Sequence, residues 1–228
     1  MGLNTRAAFV GACLLAAGCV RYVNLGEPPA PDQAPKVAVE RLQMLESFRF
    51  RVDFHTDAPF DVGASFRGNW QAPDREAWQG AWFRAGRREP VELVAAGEIQ
   101  YRREGRDWER EPRGVETRVL EQLRQVLERP HFTRTEDRSG RWHYRFEPWL
   151  PLLDPGRQRT FQASLLVEPT TGLPVSISAR DSSGGAHWDI RLDRFNRAAA
   201  VRLPFRPEVS VRLEAERRVS RRESDLMV

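Results

Sequence analysis

Between residues 48 and 54 the sequence alternates without a break. Phe48, Phe50, Val52 and Phe54 are separated by Arg49, Arg51 and Asp53. A period of two places every apolar side chain on one side of an extended segment and every charge on the other, the signature of a half-buried antiparallel strand. The rhythm recurs at Val62, Ala64, Phe66, Gly68 and Trp70, at Trp78, Gly80 and Trp82, and at Val91, Leu93 and Ala95. Ile99 and Tyr101 form a shorter run, and Trp108 closes the series. Pro73-Asp74, Gly97 and Glu104-Gly105 supply turn chemistry between the runs. About six short strands joined by tight turns predict a meander. The alternation returns further on. Phe132 to Asp137 turns at Ser139-Gly140 into Trp142, Tyr144 and Phe146, and Phe161, Ala163, Leu165 and Val167 turn at Glu168 to Gly172. Leu173, Val175, Ile177 and Ala179 turn at Asp181 to Gly185 into Trp188, Ile190 and Leu192. The total is about eleven strands.

Two stretches follow a helical period instead. From Pro35 to Ser47, Val37, Arg41 and Leu45 with Leu42 outline an approximate helix face, and Pro35 suits a first turn. From Gly114 to Arg129, Val115, Val119, Leu123, Val126 and Leu127 fall on one face, and Pro130 stops the run. Trp149 to Leu153 is apolar but broken by proline, so it reads as a lid or loop. Val209, Val211 and Leu213 offer one more strand within residues 206–228, a charged C-terminal tail with six Arg and five acids. Helices and strands in this order make an α+β chain.

The first 18 residues read as an export signal. One positive charge, Arg6, precedes about eleven apolar residues, too few to span a bilayer. Ala16, Ala17 and Gly18 stand directly before Cys19 and resemble a bacterial lipobox, in which the cysteine is acylated and becomes the new N-terminus. Ala16 replaces the more usual Leu. An ordinary cleaved signal and an uncleaved anchor are the other readings. Cys13 lies within the signal, so the processed chain retains one thiol, at the place acylation requires, and no disulfide pair. Acyl chains on Cys19, palmitate among them, would hold the protein to a membrane at ~0.8 kcal/mol per buried CH₂. Residues 19–35 hold four prolines between Gly26 and Pro35 and read as a stiff tether. Residues 36–205 would form the folded domain.

Composition narrows the function classes. In 228 residues there are 7 Trp and 12 Phe, too many large apolar side chains for a wholly disordered chain. The 36 basic and 32 acidic residues leave a charge of only +4, spread without a basic stripe, so nucleic acid is not an expected partner. The four histidines, His55, His131, His143 and His187, sit in separate strands without His-x-x-x-His or His-x-His spacing. No metal or other cofactor is expected. No Gly-x-Ser-x-Gly elbow and no glycine-rich phosphate loop is present, so the chain does not read as an enzyme and no catalytic residue is nominated.

Several passages together carry a resemblance. Val91 to Trp108 is similar to the strand, Gly turn, Tyr, Gly turn, Trp passage of LppX/LprG-type lipoproteins. Leu166 to Ile177, with Glu168-Pro-Thr-Thr-Gly-Leu-Pro174, resembles a hairpin of the same superfamily, which includes the LolA and LolB lipoprotein carriers and RseB-type periplasmic sensors. Asp193 to Asn196 followed by Val201 to Pro204 resembles its closing strand and exit. The resemblance covers about residues 36 to 205. It implies a strongly curved antiparallel half-barrel of about eleven strands, with two to three helices covering the concave face. It also implies that the hollow binds acyl chains through a generic apolar lining, so no contact residue is carried over by identity.

The one-sided strands supply candidates for that lining: Phe50, Phe54, Phe66, Trp70, Trp78, Trp142, Tyr144, Phe146, Phe161, Leu165, Ile177 and Ile190. The same residues would serve a closed core packed on the helices. The expected function is a cell-envelope lipoprotein that binds or carries a lipid or acylated molecule. The alternative is an RseB-like sensor or scaffold with a protein partner, suggested by the Arg-rich tail. Val20 follows Cys19 with no Asp, which resembles an outer-membrane sorting signal if the cell has two membranes.

Overall fold

The computed structural model describes residues 24–56, 61–114, 117–128, 131–135, 140–148, 161–183 and 185–204. In chain order the elements are α1 (Ala34–Gln43), β1 (Ser47–Thr56), β2 (Val62–Gln71), β3 (Arg75–Arg84), β4 (Arg87–Ala96), β5 (Ile99–Glu104) and β6 (Asp107–Pro112). There follow α2 (Val119–Leu127), β7 (Thr133–Thr135), β8 (Trp142–Phe146), β9 (Phe161–Val167), β10 (Pro174–Asp181) and β11 (Ala186–Asp193). Cys19, the Trp149 to Leu153 stretch and the tail with Val209, Val211 and Leu213 lie outside the described residues.

All eleven strands belong to one antiparallel sheet, ordered β6-β5-β4-β3-β2-β1-β11-β10-β9-β8-β7. Each half is a meander, as the turn chemistry predicts. The halves are joined by β1 and β11, which pair in register from Arg49 with Asp193 to Thr56 with Ala186. The sheet is open, with β6 and β7 as its edges, and α2 lies between those two edge strands in sequence. The chain therefore crosses from one rim to the other by way of the helix. The architecture is an α+β half-barrel with its helices on one face.

The bend of the sheet has a local cause in β2 and β3. Gly68 stands opposite Phe50 and Trp78, and Gly80 stands opposite Phe66 and Val91. A Cβ on Gly68 would lie 2.2 Å from the Phe50 ring and 2.3 Å from the Ala77 carbonyl oxygen; on Gly80 it would lie 2.0 Å from the Ser65 carbonyl oxygen. Inward-facing glycines let neighbouring rings and backbone close over them, which is what a tight bend requires.

The helices differ from the sequence expectation in length and facing. The face of α1 is Ala34, Ala38 and Leu42, all fully buried, with Val39 and then Leu45 beyond its end. Val37 is only half-buried, and Arg41 turns outward to donate to the Thr171 carbonyl at 2.7 Å and to the Glu27 carbonyl. Alanine at the contact brings the helix close to α2, β9 and β10, which explains why the buried stripe is drawn by its smallest residues. Helix α1 ends at Gln43, and Ser47 already belongs to β1. Helix α2 begins at Val119, five residues after the expected start, where Glu76 accepts the Val119 N–H and Thr117 donates to Gln100 and the Gly114 carbonyl. Val115 lies outside the described residues. Leu25 packs on the core, and the Pro31 carbonyl accepts a bond from the Tyr144 hydroxyl. The proline-rich stretch therefore touches the fold from residue 25 onward.

Candidate functional site

The strand register gathers the nominated residues on one face. Phe50 pairs laterally with Leu192, Val52 with Ile190 and Phe54 with Trp188. Ile177 stands between Ile190 and Leu165, and Leu165 stands opposite Tyr144. All twelve nominated side chains belong to a single apolar cluster with α1 and α2. Phe50, Phe66, Trp70, Trp78, Tyr144, Phe146, Phe161, Leu165, Ile177 and Ile190 are buried, while Phe54 and Trp142 are partly buried against the others.

The two ends of this face pack differently. At the β1–β3 end the rings fill space against one another. Phe48 stacks on Trp70 with centroids 5.1 Å apart, Phe50 meets Trp78 edge-on at 4.5 Å, and Phe66 lies between Trp78 at 6.0 Å and Trp82 at 5.3 Å. At the β8–β11 end the lining is mostly aliphatic and small: Ala163, Leu165, Val167, Ile177, Ala179, Ala186 and Ile190. Tyr144 and Asp181, which pairs in register with Phe161 and accepts from Ser183, are polar groups there. Burial pushes the Tyr144 hydroxyl up to about 12, so it stays protonated and donates to Pro31.

Towards β5 and β6 the inner face turns polar. Glu76 has the same strand parity as Trp78 and Trp82 and points inward, almost wholly buried. Its carboxylate meets the fully buried Arg113 guanidinium at 2.8 Å. It also accepts the Trp78 indole N–H at 2.8 Å and the backbone N–H of Val119, the first residue of α2, at 3.1 Å. A carboxylate at a helix N-terminus satisfies one of the orphan amides and interacts favourably with the helix dipole. Arg113 also reaches Asp74 at 2.7 Å and the carbonyls of Gly97 and Thr117. Thr117 in turn donates to Gln100, whose amide donates to Glu111. Desolvation pushes the Glu76 carboxyl up to about 7, against the opposing pull of Arg113, Trp78 and Val119. Sequence reasoning did not single out this network. The available signal was Glu76 at an inward position of an otherwise apolar strand face.

The opposite face is charged. Arg49 forms a bidentate pair with Asp193, and Arg103 pairs with Glu92 at 2.7 Å. A groove of ≈ 640 Å³ crosses this face from Arg51 and Arg67 to Arg88 and Arg103, and of the twelve nominated residues it touches only Phe66. The histidines are less scattered than their sequence spacing suggests. His55 and His187 are register partners on β1 and β11, with ring centroids 5.5 Å apart. Among the described residues no group of three or more His, Cys, Asp or Glu is placed to hold a metal ion. No described helix is long and apolar enough to cross a membrane.

Comparison with known proteins finds no matching family model and no matching curated protein. Solved structures do match. The lipoprotein LppX of Mycobacterium tuberculosis is 16% identical, covering 76% of this chain and 99% of its own, with a TM-score of 0.48. LprF of Mycobacterium bovis is 12% identical, covering 78% and 99%, with a TM-score of 0.48. A LolA superfamily protein of Nitrosomonas europaea is 11% identical, covering 77% and 96%, with a TM-score of 0.31. The likeness is one of fold.

Proposed function

We propose that the chain is a non-enzymatic envelope lipoprotein that receives the acyl part of a lipid or lipidated molecule between the inner face of its half-barrel and its two helices. The observation that carries this reading is the one-sidedness of the sheet. From β3 through β1 and β11 to β8, the inner side is a largely apolar surface, covered among the described residues by two short helices rather than by a second sheet. Entry of a chain would lift α2 while its first residue stays held by Glu76. Each methylene taken from water would contribute ~0.8 kcal/mol, less the cost of ordering chain and helix. Leu165, Ile177 and Ile190, with Phe161 and Tyr144, would then be the principal contacts. Acylation of Cys19 would tether the domain to the membrane that supplies the ligand.

Two measurements on the full chain test this. Labelled palmitate should be incorporated into the wild type and not into Cys19→Ala. The purified Cys19→Ala protein, extracted with organic solvent, should release a stoichiometric lipid to mass spectrometry and then take up a fluorescent fatty-acyl probe. A protein that comes out lipid-free, refuses the probe and retains a stoichiometric protein partner would contradict the carrier reading in favour of a sensor.

A further inference from the structure

The outer groove is a second concavity, separate from the apolar inner face. Its lining holds four arginines, Arg51, Arg67, Arg88 and Arg103, against two carboxylates, Asp53 and Glu92. Just outside the groove Arg49 is matched across strands with Asp193, whereas in the groove Asp53 stands opposite another carboxylate, Asp189. Arg103 is neutralised by Glu92, and Asp53 accepts the Ser65 hydroxyl at 2.7 Å. Among the described residues Arg51, Arg67 and Arg88 form no ion pair, and Arg67 has only the Gln79 amide oxygen, at 3.0 Å.

The register sharpens the imbalance. Arg191, Arg51 and Arg67 stand directly opposite one another on three adjacent strands, β11, β1 and β2. Like charges in such positions are destabilising, because neighbouring strands lie only ~4.8 Å apart. An anion between the guanidinium groups would remove that repulsion and complete their hydrogen bonding. A guanidinium fork fits the paired oxygens of a phosphate. Beside the arginines, Ala81, Pro90 and the exposed Phe83 give the groove an apolar wall.

We infer that this outer groove is an anion site for a phosphate group, free or carried by a lipid headgroup. Arg51 and Arg67 grip the phosphate, Arg88 closes on it from β4, and the Phe83–Pro90 wall receives the organic part. The site stands on a different face from the acyl-binding surface and does not depend on it.

The test is titration of the full Cys19→Ala chain, which carries no acyl anchor, with inorganic phosphate, glycerol phosphate, and vesicles of phosphatidylglycerol or phosphatidylcholine, at constant ionic strength. In that background the intact groove is compared with Arg51→Gln/Arg67→Gln and with the charge-matched control Arg110→Gln/Arg145→Gln. Saturable binding that weakens about tenfold or more in the first variant and stays unchanged in the control supports the site. Binding of the soluble phosphates would identify a free phosphate as the source; binding confined to phosphatidylglycerol vesicles would identify the headgroup. No saturable binding to any probe, or equal weakening in both double variants, overturns the proposal. Circular dichroism of each variant confirms that lost binding is not lost folding.

Discussion

Leu165 and Leu166 are consecutive residues of β9, yet they belong to different environments. Leu165 is fully buried against Ile177 and Tyr144 on the inner face, whereas Leu166 is half-buried on the outer face opposite His143. The same contrast separates Phe50 from Arg51. One face is a largely apolar surface under helices, and the other is a charged surface in water. The comparison shows that this sheet is a partition with unlike chemistry on its two sides, and a one-residue shift in register would exchange them. The buried pair of Glu76 and Arg113 is the principal exception, a charge pair placed on the apolar side; Asp181, at the end of β10, is another.

Breaking the principal exception should have the largest effect. Glu76→Ala leaves the buried Arg113 guanidinium with only the partly exposed Asp74 carboxylate and removes an acceptor from the start of α2. A loss of about 3–5 kcal/mol is expected in urea unfolding at pH 8. A loss below about 1 kcal/mol would mean that water reaches the pair and that α2 is not pinned there. Next in size is the inside-to-outside contrast on β9. Leu165→Ala should cost about 2–5 kcal/mol and Leu166→Ala about 1 kcal/mol or less. Equal costs would break the account of two unlike faces.

A pH profile sharpens the role of Glu76. Its carboxyl lies at about 7 when folded, against 4.5 as the ordinary value. Between those values the folded chain holds the proton more tightly than the unfolded chain, so this contribution to stability is full below pH 4.5 and is lost as pH rises towards 7. The loss should be on the order of 3 kcal/mol. Glu76→Gln, which can still accept from Val119 and Trp78, should flatten the profile; an unchanged profile would assign the titration to another group. The smallest effect belongs to the outer face. Arg103→Gln breaks the exposed pair with Glu92 and should change stability by less than about 1 kcal/mol in the same unfolding assay.

Much of this partition was legible in the residues. Alternation fixed the inner and outer sets of β1, β2, β3, β9 and β11, since the inner parity holds the large apolar residues in each, and in β1 and β11 the other parity is charged or polar. The meander followed from tight turns such as Gly97 and Gly172. What was not legible depended on contacts distant in sequence. The face of α1 was misjudged because Ala34 and Ala38 are less apolar than Val37, and close approach to α2 favours them through size. The start of α2 was misplaced because Glu76, some 40 residues earlier, supplies its N-terminal acceptor. The outer groove was invisible to pattern reading, because Arg51 and Arg67 look like ordinary solvated alternation until the register sets them side by side.

The central claim is that an acyl chain binds on the inner face and not elsewhere. Methyl NMR of the full Cys19→Ala chain, titrated with a fatty acid bearing a nitroxide on its tail, tests it directly. Leu165, Ile177 and Ile190 methyl signals should broaden at stoichiometric ligand while Leu166 stays sharp. No broadening, or equal broadening of Leu165 and Leu166, would contradict it.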